Sequence, residues 1–229
     1  MGSGCAVVLI AKTPLAGQVK TRLCPPLSGA QAAAVATALL CDAADAATAT
    51  GADTWCAYHG DEAVLRRLLP DAVRLLPQRG GDLAQRLAAA QADVFAIGYE
   101  RVVLYGADCP TVAAADLCLA LESLDHADVV LGPAADGGYT ILASSRPTPA
   151  LFDGVVMSTE RVLADTLRRA AGLQVTLLDS RHDLDTVADL LAALDDGQLD
   201  NAPRTHELVG QLLARRPRPP GGGRPVPIR

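Results

Sequence analysis

The chain has 229 residues, half of them apolar, and a formal net charge of −6. A chain of this length can bury a full core as one α/β domain or as two small ones. The acidic balance argues against a general nucleic-acid binder, and the 3% aromatic content argues against stacking platforms for single strands. We therefore expect a protein that acts on small molecules, with any basic site confined to a local pocket.

Apolar strand-like segments alternate with helix-like segments along most of the chain. We predict strands at 6–10, 53–59, 73–76, 101–105, 127–131, 139–143 and 173–178. We predict helices at 28–48, 61–69, 82–96, 113–124, 158–171 and 186–194. Ser28, Asp82 and Ser158 are the expected N-caps of three of them. This alternation predicts one Rossmann-like α/β domain, with a mainly parallel mixed sheet and helices on both faces.

The last fifteen residues differ in composition from the rest of the chain. From Arg215 onward they are rich in Pro, Gly and Arg without periodicity, which predicts disorder. This tail holds five arginines, so removing it takes the formal charge from −6 to −6 − 5 = −11. We expect a folded domain over residues 1–200, a C-terminal helix over 201–214 and a disordered tail over 215–229.

The six cysteines form no Cys-x-x-Cys pair and have no histidine partner at zinc spacing. Most lie inside apolar segments, as expected of small core residues in a reducing compartment. The first apolar segment is soon followed by Lys12, so it is too short for a signal peptide or a membrane span. These features predict a cytoplasmic protein without membrane association, and they leave the oligomeric state open.

Both lysines of the chain, Lys12 and Lys20, lie in one loop after the first strand, together with Gly17 and Arg22. Lysine provides a compact point charge that suits a phosphate oxygen. A buried strand that leads into a Gly-containing basic loop is typical of phosphate sites in α/β proteins. The loop therefore predicts phosphate binding, and the alternative is that both lysines are solvated surface charges.

Carboxylates follow two other predicted strands. Asp108 lies in Gly-Ala-Asp-Cys-Pro after the strand at 101–105, and Asp183 and Asp185 follow the strand at 173–178. In an open parallel sheet, ligands bind beyond the carboxyl ends of the strands. Mg²⁺ is commonly held there by one or two carboxylates plus substrate phosphates. Asp108 as a turn residue and Asp185 as a helix cap are the structural alternatives. The combination of the basic loop and the carboxylates indicates an enzyme of phosphoryl or nucleotidyl transfer.

Two further segments are ambiguous by themselves. The segment from Asp136 to Tyr139 reads Asp-Gly-Gly-Tyr, which is typical of a hairpin turn but also suits a ligand-binding loop. Gln78 precedes a Gly-Gly loop whose exposed amides could contact a nucleobase edge. No histidine forms a triad with a nucleophile, and Gly-x-Ser-x-Gly, Walker and Gly-x-Gly-x-x-Gly patterns are missing from the sequence. The sequence therefore argues against hydrolases of that type and against ordinary P-loop or dinucleotide sites.

In this order the motifs resemble the bacterial DUF2064 glycosyltransferase-like family, within the nucleotide-diphospho-sugar transferase (GT-A) superfamily. The matching segments are 11–14, 17–23, 78–86, 106–110, 136–139 and 183–186. They span about residues 5–194, and the set is more specific for the family than for a substrate. The chain departs from many members at Met157, where they have Trp before the Ser-Thr pair. The family also resembles phospholactate and phosphoenolpyruvate guanylyltransferases and molybdopterin-cofactor nucleotidyltransferases.

The resemblance implies a set of roles for residues of this chain. It implies that the nucleotide is bound by Lys12, Gly17, Lys20, Arg22, Gln78 and Gly80, and that Lys20 and Asp108 act in catalysis. It implies that Mg²⁺, with Mn²⁺ as the alternative, is held by Asp108, Asp183 and Asp185. It implies that the acceptor is bound by Asp136, Gly137, Gly138, Tyr139, Ser158 and Thr159.

The leading hypothesis is a Mg²⁺-dependent nucleotidyltransferase that uses a nucleoside triphosphate and a small phosphorylated acceptor and releases pyrophosphate. The first alternative is a glycosyltransferase of the same fold that uses an NDP-sugar. The second is a catalytically silent nucleotide-binding protein. The sequence fixes neither the acceptor nor the base of the nucleotide.

Overall fold

The computed structural model describes residues 4–214, so the predicted disordered tail lies outside the described residues. The strands are β1 (Cys5–Lys12), β2 (Asp53–His59), β3 (Arg74–Pro77), β4 (Arg101–Gly106), β5 (Val129–Pro133), β6 (Tyr139–Ser144) and β7 (Val175–Leu177). The helices are α1 (Gly29–Ala49), α2 (Glu62–Leu68), α3 (Leu83–Ile97), α4 (Ala114–Ser123), α5 (Val162–Arg169), α6 (Val187–Asp195) and α7 (Pro203–Ala214).

The seven strands form one mixed sheet in the order β3-β2-β1-β4-β6-β5-β7. Strand β6 runs antiparallel to both of its neighbours, and the other neighbouring pairs are parallel. The predicted mainly parallel mixed sheet is therefore confirmed. Because β1, β4, β5 and β7 point the same way, the loops that follow them meet at one edge of the sheet.

Alternate side chains of the central strands supply two separate cores. In β1, Val7 and Leu9 pack in the core that also contains buried residues of α1, α2 and α4. Ala6 and Val8 pack in the core on the opposite face, together with residues of α3. This alternation follows from the two-residue period of a strand and accounts for the continuous apolar sequence of β1. The helices on both faces of the sheet confirm the predicted layers.

Helix α1 begins where the sequence indicates. The Ser28 hydroxyl accepts a hydrogen bond from the Gln31 amide at 3.2 Å, and the Gln31 side chain accepts one from the Ser28 amide at 2.8 Å. This reciprocal capping box satisfies two amides that the helix itself leaves unpaired. By length and composition alone α1 could cross a membrane. Its buried face packs against the sheet, which accounts for its apolar character within the fold.

Helix α5 is shorter than the sequence predicts, and Ser158 is not its cap. The helix begins at Val162, and its N-cap Arg161 makes no side-chain capping bond. Ser158 has a φ of +62°, a left-handed conformation that a serine N-cap does not adopt. The residues from Ser158 to Arg161 therefore form an exposed turn that leads into the helix.

The C-terminal helix α7 is fixed to α1 by one buried carboxylate. Asp42, 3% exposed, accepts hydrogen bonds of 2.8 Å from both the amide and the hydroxyl of Thr205. Arg204 also donates to Asp42, at 3.2 Å. Asp42 thus satisfies a free amide in the first turn of α7 although it belongs to another helix.

Candidate active site

Three loops contribute aspartate side chains to one cavity of about 490 Å³ at the carboxyl edge of the sheet. Asp108 follows β4, Asp136 follows β5, and Asp183 and Asp185 follow β7. All four carboxylates line the cavity, together with Arg22 from the loop after β1. The cavity therefore combines the basic loop and the predicted carboxylates, as expected of loops that share one edge.

Lys20 lies at the centre of this arrangement and is almost completely buried. Its Nζ donates to the Leu184 carbonyl at 2.8 Å and to Asp185 Oδ1 at 2.9 Å, and lies 3.4 Å from Asp108 Oδ2. Burial alone would lower the pKa of Lys20, but the adjacent carboxylates of Asp108 and Asp185 outweigh it and raise that pKa. The three oxygens account for the three ammonium protons, so Lys20 joins three loops.

The other two cations of the basic loop are exposed. Lys12 Nζ donates to the Gln18 carbonyl at 2.9 Å within the loop. Arg22 Nη1 lies 2.9 Å from Asp185 Oδ2, and its side chain is 70% exposed. Burial opposes the ionisation of Asp185, but Lys20 and Arg22 overcome it and lower the pKa of that carboxyl. Lys12 and Arg22 are therefore the cations of this loop with surface available to a ligand.

A smaller recess of about 220 Å³ lies beneath the basic loop, against α1. Lys12, Gln18 and Lys20 line one side of it, and Asp108 lines another. Gly17, at the exposed turn of the loop, has a φ of +76°, which a residue without Cβ adopts at little cost. Of the predicted nucleotide-binding residues of this loop, Lys12 and Lys20 line the recess, whereas Arg22 lines the acidic cavity and Gly17 lines neither.

Asp183 is a partly buried carboxylate whose charge Lys20 offsets only in part. Burial raises the pKa of Asp183, and the nearby carboxylates of Asp136 and Asp185 raise it further. Among residues 4–214, none of the ion pairs includes Asp183. The proximity of Asp136 to Asp183 is not evident from the sequence, which places the two in separate motifs. A bound cation would reduce the repulsion between carboxylates that lie this close together.

The loop that carries Asp183 is anchored to the turn that follows β4 and to helix α4. The Thr111 hydroxyl donates to the His182 carbonyl at 3.0 Å, and Cys109 Sγ donates to the same oxygen at 3.1 Å. Arg181 forms an ion pair of 2.6 Å with Asp116 of α4. Sequence reasoning missed these anchors, because bonds to a backbone carbonyl leave no motif.

The predicted base-binding residues lie across β1 from the acidic loops. The Gln78 side-chain amide donates to the carbonyls of Ala11 and Ala57, at 3.3 and 2.8 Å, so it joins the ends of β1 and β2. Gly80 is exposed and has a φ of +125°, and a Cβ there would lie 2.8 Å from the Cβ of Gln85. Gln78 and Gly80 do not line the acidic cavity.

The Asp-Gly-Gly segment forms the turn of the β5–β6 hairpin, so the structural alternative for it is confirmed. Asp136 accepts a hydrogen bond from the Gly138 amide at 2.8 Å, a local turn contact, and still lines the cavity. Gly137 has a φ of +89°, and a Cβ there would lie 2.1 Å from the Glu160 carbonyl oxygen. The hairpin turn therefore packs tightly against the segment that precedes α5.

The remaining predicted acceptor residues divide into two groups. Ser158 and Thr159 are exposed and line the acidic cavity. Tyr139 also lines it, but its hydroxyl is buried, and among residues 4–214 neither this hydroxyl nor that of Thr166 makes a hydrogen bond within geometric limits. Burial raises the pKa of Tyr139 to about 12. Its ring, and not its hydroxyl, is therefore the part of Tyr139 that faces the cavity region.

The donor set suits a hard divalent cation. In the part of the chain that the structure describes, no three Asp, Glu, His or Cys side chains converge as a complete ligand set, and Lys20 lies between Asp108 and Asp185. Mg²⁺ requires only one or two carboxylates when substrate phosphates and waters complete its shell. Asp108, with a 65% exposed side chain, and Asp183 both face the cavity and fit this requirement.

The chain is similar in sequence and fold to proteins that are already known. A 2-phospho-L-lactate guanylyltransferase of Methanothermobacter thermautotrophicus is 30% identical over 190 residues, which cover 81% of this chain and 82% of that protein. A Desulfovibrio desulfuricans protein, assigned to the nucleotide-diphospho-sugar transferases, superposes with a TM-score of 0.82 at 28% identity, covering 91% and 98% of the two chains. A Mycobacterium tuberculosis protein solved in complex with manganese has the same fold, with a TM-score of 0.53 at 22% identity, covering 83% and 97%.

The fold and these relatives define the chain as an enzyme of the transferase class. A family model described as an uncharacterized protein conserved in bacteria (DUF2064) matches residues 32–159, more than half of the chain. The chain belongs to this family, and the resemblance inferred from the motifs is confirmed.

Proposed function

We propose that this protein is a divalent-metal-dependent nucleotidyltransferase that acts on a nucleoside triphosphate and a small phosphorylated acceptor. The observation that carries the proposal is the cavity in which Asp108, Asp136, Asp183 and Asp185 meet Arg22 beside the recess of the basic loop. The guanylyltransferase relative, matched over 82% of its length, supports the choice of a nucleotidyl group.

In the proposed reaction, a phosphate oxygen of the acceptor attacks the α-phosphorus of the triphosphate. A new P–O bond forms, the bond between the α-phosphorus and the bridging oxygen breaks, and pyrophosphate leaves with the electron pair. The acceptor phosphate is itself the nucleophile, so no side chain forms a covalent intermediate. Lys12 and Arg22, which are exposed, bind the triphosphate, and Lys20 holds the loops of Asp108 and Asp185 at a fixed separation.

Asp108 and Asp183 would hold the metal, Mg²⁺ or Mn²⁺, which when bound neutralises charge on the phosphates. Asp183 supplies a carboxylate that is outside the ion pairs of residues 4–214, and Asp136 adds to the negative potential beside it. Asp185, already paired with Lys20 and Arg22, acts by positioning these cations. Ser158 and Thr159, on the exposed rim, contact the acceptor.

A glycosyltransferase that uses an NDP-sugar is the second candidate. The observation that favours it is the Desulfovibrio desulfuricans structure, which superposes at a TM-score of 0.82 and is assigned to the nucleotide-diphospho-sugar transferases. Both reactions need the same cations and carboxylates around a diphosphate. They differ in the product, which is pyrophosphate for nucleotidyl transfer and a nucleoside diphosphate for glycosyl transfer.

A product assay separates the two candidates. The protein is incubated with each common nucleoside triphosphate or NDP-sugar, 2-phospho-L-lactate or phosphoenolpyruvate, and MgCl₂ or MnCl₂, and products are followed by ³¹P NMR. We expect metal-dependent pyrophosphate release that is lost in Asp183→Asn and retained in Asp71→Asn, a change at an exposed residue away from the cavity. Nucleoside diphosphate without pyrophosphate would select the glycosyltransferase. Metal-dependent nucleotide binding without any product would indicate a silent binding protein.

A further inference from the structure

A second and larger cavity lies between the first turn of α3 and the segment 149–158, which connects β6 to α5. It measures about 930 Å³, and we call it the α3 groove. Its apolar lining includes Leu83, Phe152, Val156 and Met157. Leu83 is 40% exposed and Val156 is 67% exposed, so apolar side chains face solvent here. Ligand sites are typically concave and mainly apolar, with volumes of about 300–1,000 Å³.

The α3 groove meets the acidic cavity directly. Leu83, Met157 and Ser158 line both of them, so one ligand can extend from the carboxylates into the groove. Ser158 stands at this junction with a φ of +62°, where a residue with a side chain is strained. Strain of this kind is concentrated at ligand-binding segments.

The charges of the groove indicate which part of a ligand it accepts. The charged residues among its described lining are Asp82 and Asp153, and no lysine or arginine lines it. The Asp82 carboxylate is already used, since it caps α3 through the Gln85 amide at 2.8 Å. A second phosphate or a carboxylate of a ligand would be repelled here, whereas a neutral hydrocarbon would bury the exposed apolar surface.

We propose that the α3 groove binds the uncharged apolar body of the acceptor, whose phosphate lies in the acidic cavity. The acceptor is then an amphiphilic phosphate monoester, with a hydrocarbon part long enough to pass Met157 and contact Val156. This inference rests on the proposed function, because it requires an acceptor in the acidic cavity. It extends that function, since neither the named relatives nor the carboxylates specify an apolar substrate.

The sequence provides a reporter at the junction. The protein has two methionines, Met1 and Met157, so labelling with ¹³C-methyl methionine gives one internal signal. The full-length protein is titrated with 1-butanol, 1-hexanol and 1-octanol, and the Met157 shift is followed. We expect the dissociation constant to fall about fourfold per added methylene group, the factor that ~0.8 kcal/mol per buried CH₂ gives.

Two surface variants make the test specific. In Val156→Asp a charge replaces an exposed apolar wall of the groove, and we expect the dependence on chain length to be largely lost. Leu119→Asp is the matched control, because Leu119 is 49% exposed on α4, on the opposite face of the sheet. We expect it to bind the alkanols as the wild type does. A wild type without chain-length dependence, or equal slopes in both variants, would overturn the proposal.

A second series tests the link to the acidic cavity. Octyl phosphate replaces octanol, with and without MgCl₂, and we expect Mg²⁺ to tighten the binding of octyl phosphate at least tenfold and to leave octanol unchanged. Octyl phosphate that binds no better with Mg²⁺ would overturn the acceptor assignment. So would a wild-type dimer that Val156→Asp converts to a monomer in sedimentation equilibrium, since a second copy would then occupy the groove.

The two proposals fail separately. Alkanol binding requires neither nucleotide nor turnover, so its absence in a protein that releases pyrophosphate would overturn the groove assignment alone. If the protein binds alkanols but releases no pyrophosphate, the groove is an apolar binding site, but its assignment to the acceptor is overturned.

Discussion

The Lys20 ammonium lies 2.9 Å from Asp185 Oδ1, across a sequence separation of 165 residues. The bond joins the loop after the first strand to the loop after the last one. Since Lys20 also approaches Asp108 at 3.4 Å, a single buried cation sets the distance between three parts of the cavity wall. Lysine at this position therefore has a structural role in addition to any electrostatic role toward a ligand.

Replacing Lys20 should cost stability that replacing Lys12 does not. We expect Lys20→Met to lower the free energy of unfolding by about 1–3 kcal/mol, because the carboxylates lose their partner. The loss stays below that of a fully buried pair because the Asp108 and Asp185 side chains, 65% and 36% exposed, regain water. Lys12→Met, on an exposed loop charge, should change it by less than about 0.5 kcal/mol. Urea unfolding measures both, and equal losses would contradict the assignment.

Asp183 should be a residue whose replacement stabilises the protein and harms its activity. Because burial and the carboxylates of Asp136 and Asp185 raise its pKa, its charge opposes folding in the absence of a cation. We expect Asp183→Asn to raise the free energy of unfolding by about 0.5–1 kcal/mol without metal. The same change should abolish the stabilisation of the wild type by MnCl₂, measured by calorimetry. A variant less stable than the wild type without metal would show that Asp183 is instead held by favourable contacts.

Gly137 and Gly172 provide a matched pair for the hairpin turn. Their φ values are +89° and +86°, so backbone strain from alanine should lower the free energy of unfolding by about 1 kcal/mol at either position. At Gly137 the new Cβ would also lie 2.1 Å from the Glu160 carbonyl oxygen, whereas at Gly172 nothing lies within 4 Å. We expect Gly137→Ala to cost about 2 kcal/mol more than Gly172→Ala. Similar unfolding midpoints would mean that the segment before α5 moves aside easily.

The two acidic partners of Arg204 should differ in importance. Asp42 is buried and accepts two bonds from Thr205, so Asp42→Ala leaves buried donors unpaired and should cost about 2–3 kcal/mol. Asp45 is exposed, and within residues 4–214 its carboxylate pairs only with the Arg204 side chain, so Asp45→Ala should cost less than about 1 kcal/mol. Thermal unfolding compares the variants. A loss in Asp45→Ala as large as in Asp42→Ala would refute the capping role.

Two thiols should resist alkylation until the protein unfolds. Burial raises the pKa of Cys56 to about 12 and that of Cys109 to about 11. The thiolate is the reactive form, so at pH 8 both should react with iodoacetamide far more slowly than the partly exposed Cys24. The reaction should accelerate as the pH rises toward these values. Peptide mass spectrometry measures the extent at each cysteine, and rapid native labelling of Cys109 would show that the acidic cavity opens.

Local signals in the sequence predicted most helices and strands well. The features that the sequence did not predict depend on contacts between distant residues. Ser28 and Asp82 cap their helices as predicted, because a cap depends on amides two or three residues away. Ser158 was predicted to be a similar cap, but it has a φ of +62° and the helix begins at Val162, neither of which has a compositional signal.

The site followed the same division. The sequence predicted that the basic loop and the carboxylates lie at one edge of the sheet, because the direction of the strands alone determines this. It did not reveal that Lys20 is buried or that Asp136 lies near Asp183, because both depend on how separate loops fold over the edge. The α3 groove could not be predicted either, because its apolar residues cannot be distinguished in the sequence from residues of the core.

The contact between Asp42 and α7 bears on where the chain can be shortened. Val209 of α7 packs in the same cluster as Leu184, the residue between the two acidic side chains that follow β7. A truncation after residue 200, at the boundary that the sequence indicates, would remove this support and uncover the apolar side of α1. We expect the shortest protein with an intact acidic cavity to extend at least to Ala214. Fusion partners placed at that end then require a linker that leaves the last helix free to dock.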